Sequence, residues 1–216
     1  MPPDTTGCWT PVALSADLPS GTVMPARTPA GSIALWRSEA GRASASADRC
    51  PHRGMRLSHG FVRGEALSCI YHGWSYAQAG HCLRIPAHPG LIPPQTIRVA
   101  TQQVEESGGV IWVAVGERDD GPPRFQGLLP LRSLTADAGI AAIEAAAGEK
   151  TGADGLLRTA RHSKEMSLLL VAQAQAQTLV HVLLNGDATP CERILASRAA
   201  ETVRRVAEDV ETKGLA

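Results

Sequence analysis

The sequence predicts a mainly β N-terminal domain followed by a small α+β C-terminal segment. Three observations carry this. Short apolar runs broken by glycine and proline fill the first half, helical signals are few before residue 118, and one long helical period closes the chain. Residues 32–37 and 43–48 read as a hairpin around the turn-like tetrad Glu39-Ala40-Gly41-Arg42. Residues 67–70, 74–76 and 82–85 follow as short strands, the last two flanking a turn at Gln78-Ala79-Gly80. Residues 96–101 are expected to pair with residues 110–115, after a path broken by Pro86, Pro89, Pro93 and Pro94.

Residues 117–123, with acidic, basic, glycine and proline residues crowded together, have the composition of a boundary. The expected organisation is a first domain over 1–118, a linker over 119–160 with a short helix, and a segment over 161–216 of two strands and a helix. The linker helix is expected at 137–148, closed by Gly148. Residues 167–172 and 178–184 read as the two strands, with Asn185-Gly186-Asp187 as the turn after them. Thr189-Pro190-Cys191-Glu192 is a capping-box pattern with proline at the first helical position. From there Leu195, Ala199, Val203, Val206 and Val210 recur every three to four residues, describing an amphipathic helix of about six turns.

Chemistry concentrates in Cys50-Pro51-His52 and Cys69-Ile70-Tyr71-His72. Two loops that each offer one Cys and one His meet the demand of a mixed-ligand iron-sulfur cluster, in which two thiolates hold one iron and two imidazoles the other. The 16 residues between His52 and Cys69 suffice for a strand, a turn and a second strand, which sets the loops side by side. Zinc is the competing ligand, since two Cys and two His also satisfy a tetrahedral site. Zinc fingers, however, usually pair Cys with Cys and His with His along the chain. Arg53-Gly54 and Gly73-Trp74 are expected to form tight turns whose N–H groups point at sulfur. Trp74 is expected to cover the cluster rather than carry electrons itself.

The stretch from Cys50 to Gly90 resembles the Rieske domain of the bacterial ring-hydroxylating and demethylating non-haem iron oxygenases. The resemblance extends upstream through CWTPVALSADLPSG and IALWRSEAG and downstream to GGVIWVAVGE, about residues 8–118. It implies an iron-sulfur β-sandwich with one Rieske-type [2Fe-2S] cluster, Cys50 and Cys69 on the inner iron and His52 and His72 on the outer, redox-active one. The respiratory-complex branch carries an extra Cys in each loop and a Ser after the second His-Gly, where this chain has Met55, Tyr71 and Trp74. Without that disulfide and hydroxyl the expected potential lies toward the low end of the Rieske span, roughly −150 mV. That suits a relay fed by a ferredoxin or flavin reductase. The strands and final helix resemble, by element order, a truncated helix-grip catalytic domain.

One departure decides how far the resemblance carries. The oxygenases follow the Rieske domain with two helical His and a carboxylate that hold a mononuclear iron. Beyond residue 118 only His162 and His181 exist, 19 residues apart, so that a site would have to be built from His162, His181 and Asp187 without a pair at helical spacing. Mononuclear iron and independent oxygenase activity are therefore not expected. The expected function is electron transfer from a reductase to an oxygenase iron on another chain, in company with a complete oxygenase subunit. The alternative is a non-catalytic structural or regulatory subunit, or a degenerate truncated oxygenase.

The 216 residues are 44% hydrophobic and 19% charged, with 21 basic residues balancing 21 acidic ones, so no nucleic-acid partner is expected. The N-terminus has neither a charged n-region nor a long apolar run, and nothing reaches membrane-span length, so a cytoplasmic protein is expected. Cys8, Cys82 and Cys191 read as free thiols, with Cys82 a packing residue. His59, His81 and His88 read as loop or surface residues, and Ser107-Gly108-Gly109 lacks the helix of a dinucleotide site. Arg53 and Arg56 are positioned to dock an acidic electron donor, or are simply solvated.

Overall fold

Alternation along one strand explains the first half of the molecule. In the computed structural model, which describes residues 9–116, 118–160 and 165–214, strand β3 (Gly31–Arg37) buries four successive residues, Ile33 to Trp36. Because side chains alternate across a strand, Ala34 and Trp36 face one core, with Leu57, Leu67, Tyr76 and the two candidate cysteines. Ile33 and Leu35 face the other, with Val12, Leu18, Ala45, Ile111 and Val113. The strand is thus the shared wall of a sandwich, and the candidate site grows from one side of it.

The chain divides into two compact units, Met1–Pro123 and Arg124–Ala216. In the first, β1 (Trp9–Leu14), β2 (Thr22–Thr28), β3, β4 (Ala43–Ala47), β9 (Thr101–Ser107) and β10 (Val110–Ala114) form an antiparallel sheet of order β1-β10-β9-β4-β3-β2. Between β4 and β9 lies a second sheet of β5 (Phe61–Arg63), β6 (Ala66–Ser68), β7 (Ser75–Tyr76) and β8 (Cys82–Arg84), paired in sequence order. The two candidate ligand loops are the β4–β5 and β6–β7 connections.

The expected partner of β10 is one strand too early. Residues 96–100 contribute only an isolated bridge, His81 with Arg98, while β9 begins at Thr101 and pairs with β10 through the Gly108-Gly109 turn. Its sequence TQQVEES hides a strand because it offers one aliphatic residue and no apolar alternation, and none of its seven residues is buried. Here Glu106 takes two hydrogen bonds from the Arg37 guanidinium, at 2.6 and 3.0 Å, and one from Ser15 Oγ at 2.5 Å.

The second unit is an antiparallel sheet of order β11-β14-β13-β12, made of β11 (Leu128–Ala136), β12 (Leu156–Thr159), β13 (Met166–Ala172) and β14 (Thr178–Asn185). Helices α1 (Ile140–Ala147) and α2 (Pro190–Thr212) share one core with it. Residues 119–160, read from sequence as a linker, therefore hold two strands besides the expected helix. Strand β11 is disguised by Pro130, which an edge strand accepts at the irregularity between Pro130 and Arg132.

Helix α2 starts as its capping box requires. Thr189 Oγ1 accepts from Glu192 N–H at 3.3 Å, and the Glu192 carboxylate accepts from Thr189 N–H at 2.8 Å, a cap that contributes about 1 kcal/mol. Its buried face is the expected one in part: Ala199 and Val203 are in the core and Val210 packs against it, but Leu195 and Val206 turn outward. Ala196, Ala199, Ala200, Val203 and Ala207 are buried, while Leu195 and Val206 are 46% and 37% exposed. Alanines of α1 (Ala142, Ala146, Ala147) join the same core. Small residues let helices approach closely, so packing selects the alanine face over the larger aliphatics. Among the described residues no helix is long and apolar enough to cross a membrane.

Candidate metal centre

The two loops are built on one backbone pattern. In the first, Cys50 N–H donates to the Met55 carbonyl and Gly54 N–H returns a bond to the Cys50 carbonyl, both at 2.8 Å. In the second, Cys69 N–H donates to the Trp74 carbonyl and Gly73 N–H to the Cys69 carbonyl, both at 2.9 Å. Each turn needs a residue at positive φ, and Gly54 (72°) and Gly73 (70°) supply it. A Cβ on Gly73 would also stand 3.0 Å from Pro86 Cγ, so the proline-rich segment packs on the second loop. The glycine N–H groups thus close the loops through carbonyls. Toward the Cys69 sulfur the donors are the N–H groups of Tyr71 and His72.

Side chains then clasp the base of each loop. Asp48, buried just before Arg49-Cys50, accepts from Ser58 N–H at 2.7 Å and from Ser58 Oγ at 2.8 Å. Ser68 Oγ and Ser75 Oγ meet at 2.9 Å across the second loop, and Ser75 Oγ donates to the Gly73 carbonyl at 3.2 Å. The Tyr76 hydroxyl lies 3.1 Å from Cys50 Sγ. Burial first, and then the nearby Cys50 thiol, push the Tyr76 hydroxyl upward, which keeps it protonated and able to donate to a thiolate.

The four predicted residues come together sorted by type. Cys50 and Cys69 are each 2% exposed and belong to one buried core. The rings of His52 and His72 lie 4.7 Å apart between centroids, nearer the surface: His52 is partly buried and His72 exposed. Among the described residues no three His, Cys, Asp or Glu side chains converge on a position for one ion. A thiol pair inside and an imidazole pair outside is the donor set that a binuclear cluster with one sulfur-ligated and one nitrogen-ligated iron requires, so the residues fit that group.

Local electrostatics follow from this layering. Burial pushes the Cys69 thiol up, opposed by the Tyr71 and His72 N–H groups and reinforced by Cys50. Desolvation, then the neighbouring His72 and Arg53, lower the His52 pKa, favouring the neutral imidazole that binds metal. Trp74 of the second loop stacks on His52 of the first, centroids 4.4 Å apart and planes 3° from parallel. The tryptophan expected to act as a cover therefore also locks the two loops together. Tyr71 lies against His72 at 3.8 Å.

Sequence spacing finds the four residues but not their supports. Asp48, Ser58 and Tyr76 carry no motif, and nothing in their local sequence marks their partners. Cys82 is buried in the same core as Cys50, as expected of a packing residue, and Cys191 is exposed on α2. His59 and His88 are exposed, and His81 lies at the bridge to Arg98. His181 is buried in β14, its Nδ1 2.8 Å from Ser133 Oγ. Asp187 lines an open pocket with Glu165, Asn185 and Glu192 that does not include His181. Cys8 and His162 lie outside the described residues.

A sandwich whose tip carries two such Cys-His loops defines a Rieske-type iron-sulfur domain, and comparison with known proteins agrees. Residues 8–102 match the Rieske [2Fe-2S] domain family. The chain thus carries a Rieske domain with homologues among the Rieske oxygenases. It is 41% identical over 115 residues to oxidoreductase NdmD of Pseudomonas putida, a match covering 53% of this chain and 20% of that protein. It is 34% identical over 122 residues to the 3-chlorobenzoate-3,4-dioxygenase oxygenase subunit of Comamonas testosteroni, covering 55% and 28%. The chain therefore aligns with 20% to 28% of the length of these relatives. In fold it resembles apo dicamba monooxygenase, with a TM-score of 0.76 at 18% identity over 97% of this chain and 87% of that one.

Proposed function

We propose that Cys50, Cys69, His52 and His72 hold one Rieske [2Fe-2S] cluster, and that the chain relays electrons from a ferredoxin or flavin reductase to an oxygenase iron on another chain. The observation that carries this reading is the sorting of donors, buried thiols beneath and imidazoles at the surface. The bound cluster supplies one-electron redox chemistry. The chain's own residues do the rest. Tyr76 and the N–H groups of Tyr71 and His72 donate toward sulfur and favour the reduced charge. The core around Trp36, Leu57 and Leu67 keeps water from the thiols. His72, exposed, gives electrons a short path to a partner.

That the accepting iron belongs to another chain is supported by where the C-terminal candidates lie. His181 sits inside β14 with its Nδ1 at Ser133, whereas Asp187 lies beyond the end of that strand. The four residue steps from His181 to Asn185 along the strand span about 13 Å. Purified protein should show visible iron-sulfur absorption that dithionite bleaches reversibly, with iron and acid-labile sulfide in the proportions of a [2Fe-2S] centre. Colourless protein with all four ligands present favours the structural or regulatory alternative. A further, loosely held iron lost together with activity on changing His181 would place an oxygenase site in this chain.

A further inference from the structure

Each imidazole of the metal centre has an aromatic neighbour, and the two neighbours act differently. Trp74 lies face to face on His52, centroids 4.4 Å apart and planes 3° from parallel, whereas Tyr71 meets His72 at 3.8 Å with the planes 38° apart. The first contact joins one loop to the other. The second is between adjacent residues of one loop, and both of those residues are exposed, while His52 and Trp74 are both partly buried.

The Trp74 ring is itself set by the interior of the domain. Its side chain packs against the core that contains Trp36, Leu57, Leu67 and Tyr76. Its carbonyl takes the Cys69 N–H at 2.9 Å, and the Gly73 turn before it is backed by Pro86. A ring fixed from below gives His52 a plane to lie on, because aromatic faces prefer a definite mutual geometry. The imidazoles of His52 and His72 stand at 59° to each other, so the stack that fixes one plane does not fix the other. Neighbours that orient a metal-binding imidazole typically contribute about ten- to a hundredfold in metal affinity.

We propose that Trp74 is a positioning residue for His52, holding that imidazole in the plane its iron needs before the cluster binds, and that the two imidazoles are therefore unequal ligands. His52 is preset by the fold; His72 is oriented by the metal. The proposal rests on the four-ligand reading above and adds an order among those ligands.

The test uses the cluster-loaded full chain, prepared with isotopically labelled histidine, beside its Trp74→Leu and Trp74→Phe variants. Leu keeps apolar bulk against the core and removes the ring; Phe restores a ring. Pulsed EPR of the dithionite-reduced proteins should resolve two histidine nitrogen couplings, of which one moves in Trp74→Leu and neither moves in Trp74→Phe. Cluster loss to an excess of iron chelator, followed by visible absorption, should be about tenfold faster in Trp74→Leu and close to the parent rate in Trp74→Phe. Tyr71→Ser should leave that rate near the parent's, since a tilted, exposed neighbour presets nothing. Couplings in Trp74→Leu that stay in place or shift together, or a Trp74→Phe protein that loses its cluster as fast as Trp74→Leu, overturn the positioning role and leave the four ligands standing. If Trp74→Leu does not load a cluster, loading of Trp74→Phe supports the proposal and failure of both overturns it. A colourless parent, or one whose reduced spectrum carries no histidine nitrogen, overturns the ligand reading and the positioning role together.

Discussion

The two ligand loops share a backbone and differ in what fastens it. Each is closed by the same pair of main-chain bonds and the same left-handed glycine, but the first is clasped by a buried carboxylate and the second by two hydroxyls. The first loop takes two donors onto Asp48, a charge that burial makes costly to leave unmatched. The second takes two neutral bonds, both through Ser75, and leans on neighbours for the rest: Pro86 beneath Gly73, and Trp74 reaching across to His52. Equivalent geometry thus has unequal tolerance. The first loop should fail sharply when its clasp is cut, and the second gradually.

The largest effect should come from a ligand itself. Cys50→Ala removes one of two thiolates and the acceptor facing Tyr76, so visible absorption should vanish and the first unit should melt well below the cluster-loaded parent. Unchanged visible spectra in that variant would overturn the ligand assignment. Asp48→Ala should come next, because it strands the buried Ser58 N–H and Oγ at about 1–3 kcal/mol for each unpaired group. Asp48→Asn should recover most of the loss, since its amide can accept from the N–H and donate to the hydroxyl. Chemical denaturation of the three proteins reads both effects, and equal destabilisation by Asn and Ala would show that charge, not bonding, holds the first loop.

A side-chain hydroxyl reaches the sulfur of the first loop, and backbone N–H groups reach that of the second. Tyr76→Phe keeps the packing and removes the hydroxyl. A differential loss of about 1 kcal/mol from the reduced state corresponds to a potential lower by on the order of 45 mV for one electron. Potentiometric titration checks this, and a potential that rises or stays fixed would deny Tyr76 a role in tuning.

The same contrast explains what the sequence reveals. Cys50, His52, Cys69 and His72 are legible because ligand spacing within a loop is a local property, and the capping box at Thr189 is legible for the same reason. The Tyr76 to Cys50 contact joins residues 26 apart, and the Arg37 to Glu106 pair between β3 and β9 joins residues 69 apart. Such pairings are decided by tertiary structure. In α2, periodicity announces a helix but not its buried face, since Leu195 outranks Ala196 in hydrophobicity while the core admits only the alanine. Strand β11 disappears behind one proline that an edge position tolerates.

The smallest expected effect lies in the second loop. Ser68→Ala removes a hydroxyl that is itself buried, but its partner Ser75 is only partly buried and keeps its bond to the Gly73 carbonyl. Water reaches the vacated position on Ser75, so no donor or acceptor is stranded. The loss should be that of one neutral hydrogen bond, about 0.5–1.5 kcal/mol, with cluster content preserved. Denaturant midpoints compared with Asp48→Ala measure the difference directly. A Ser68→Ala loss as large as that of Asp48→Ala would mean that the hydroxyl clasp is as essential as the carboxylate, and the inequality between the loops would then have to come from Trp74 and Pro86 alone.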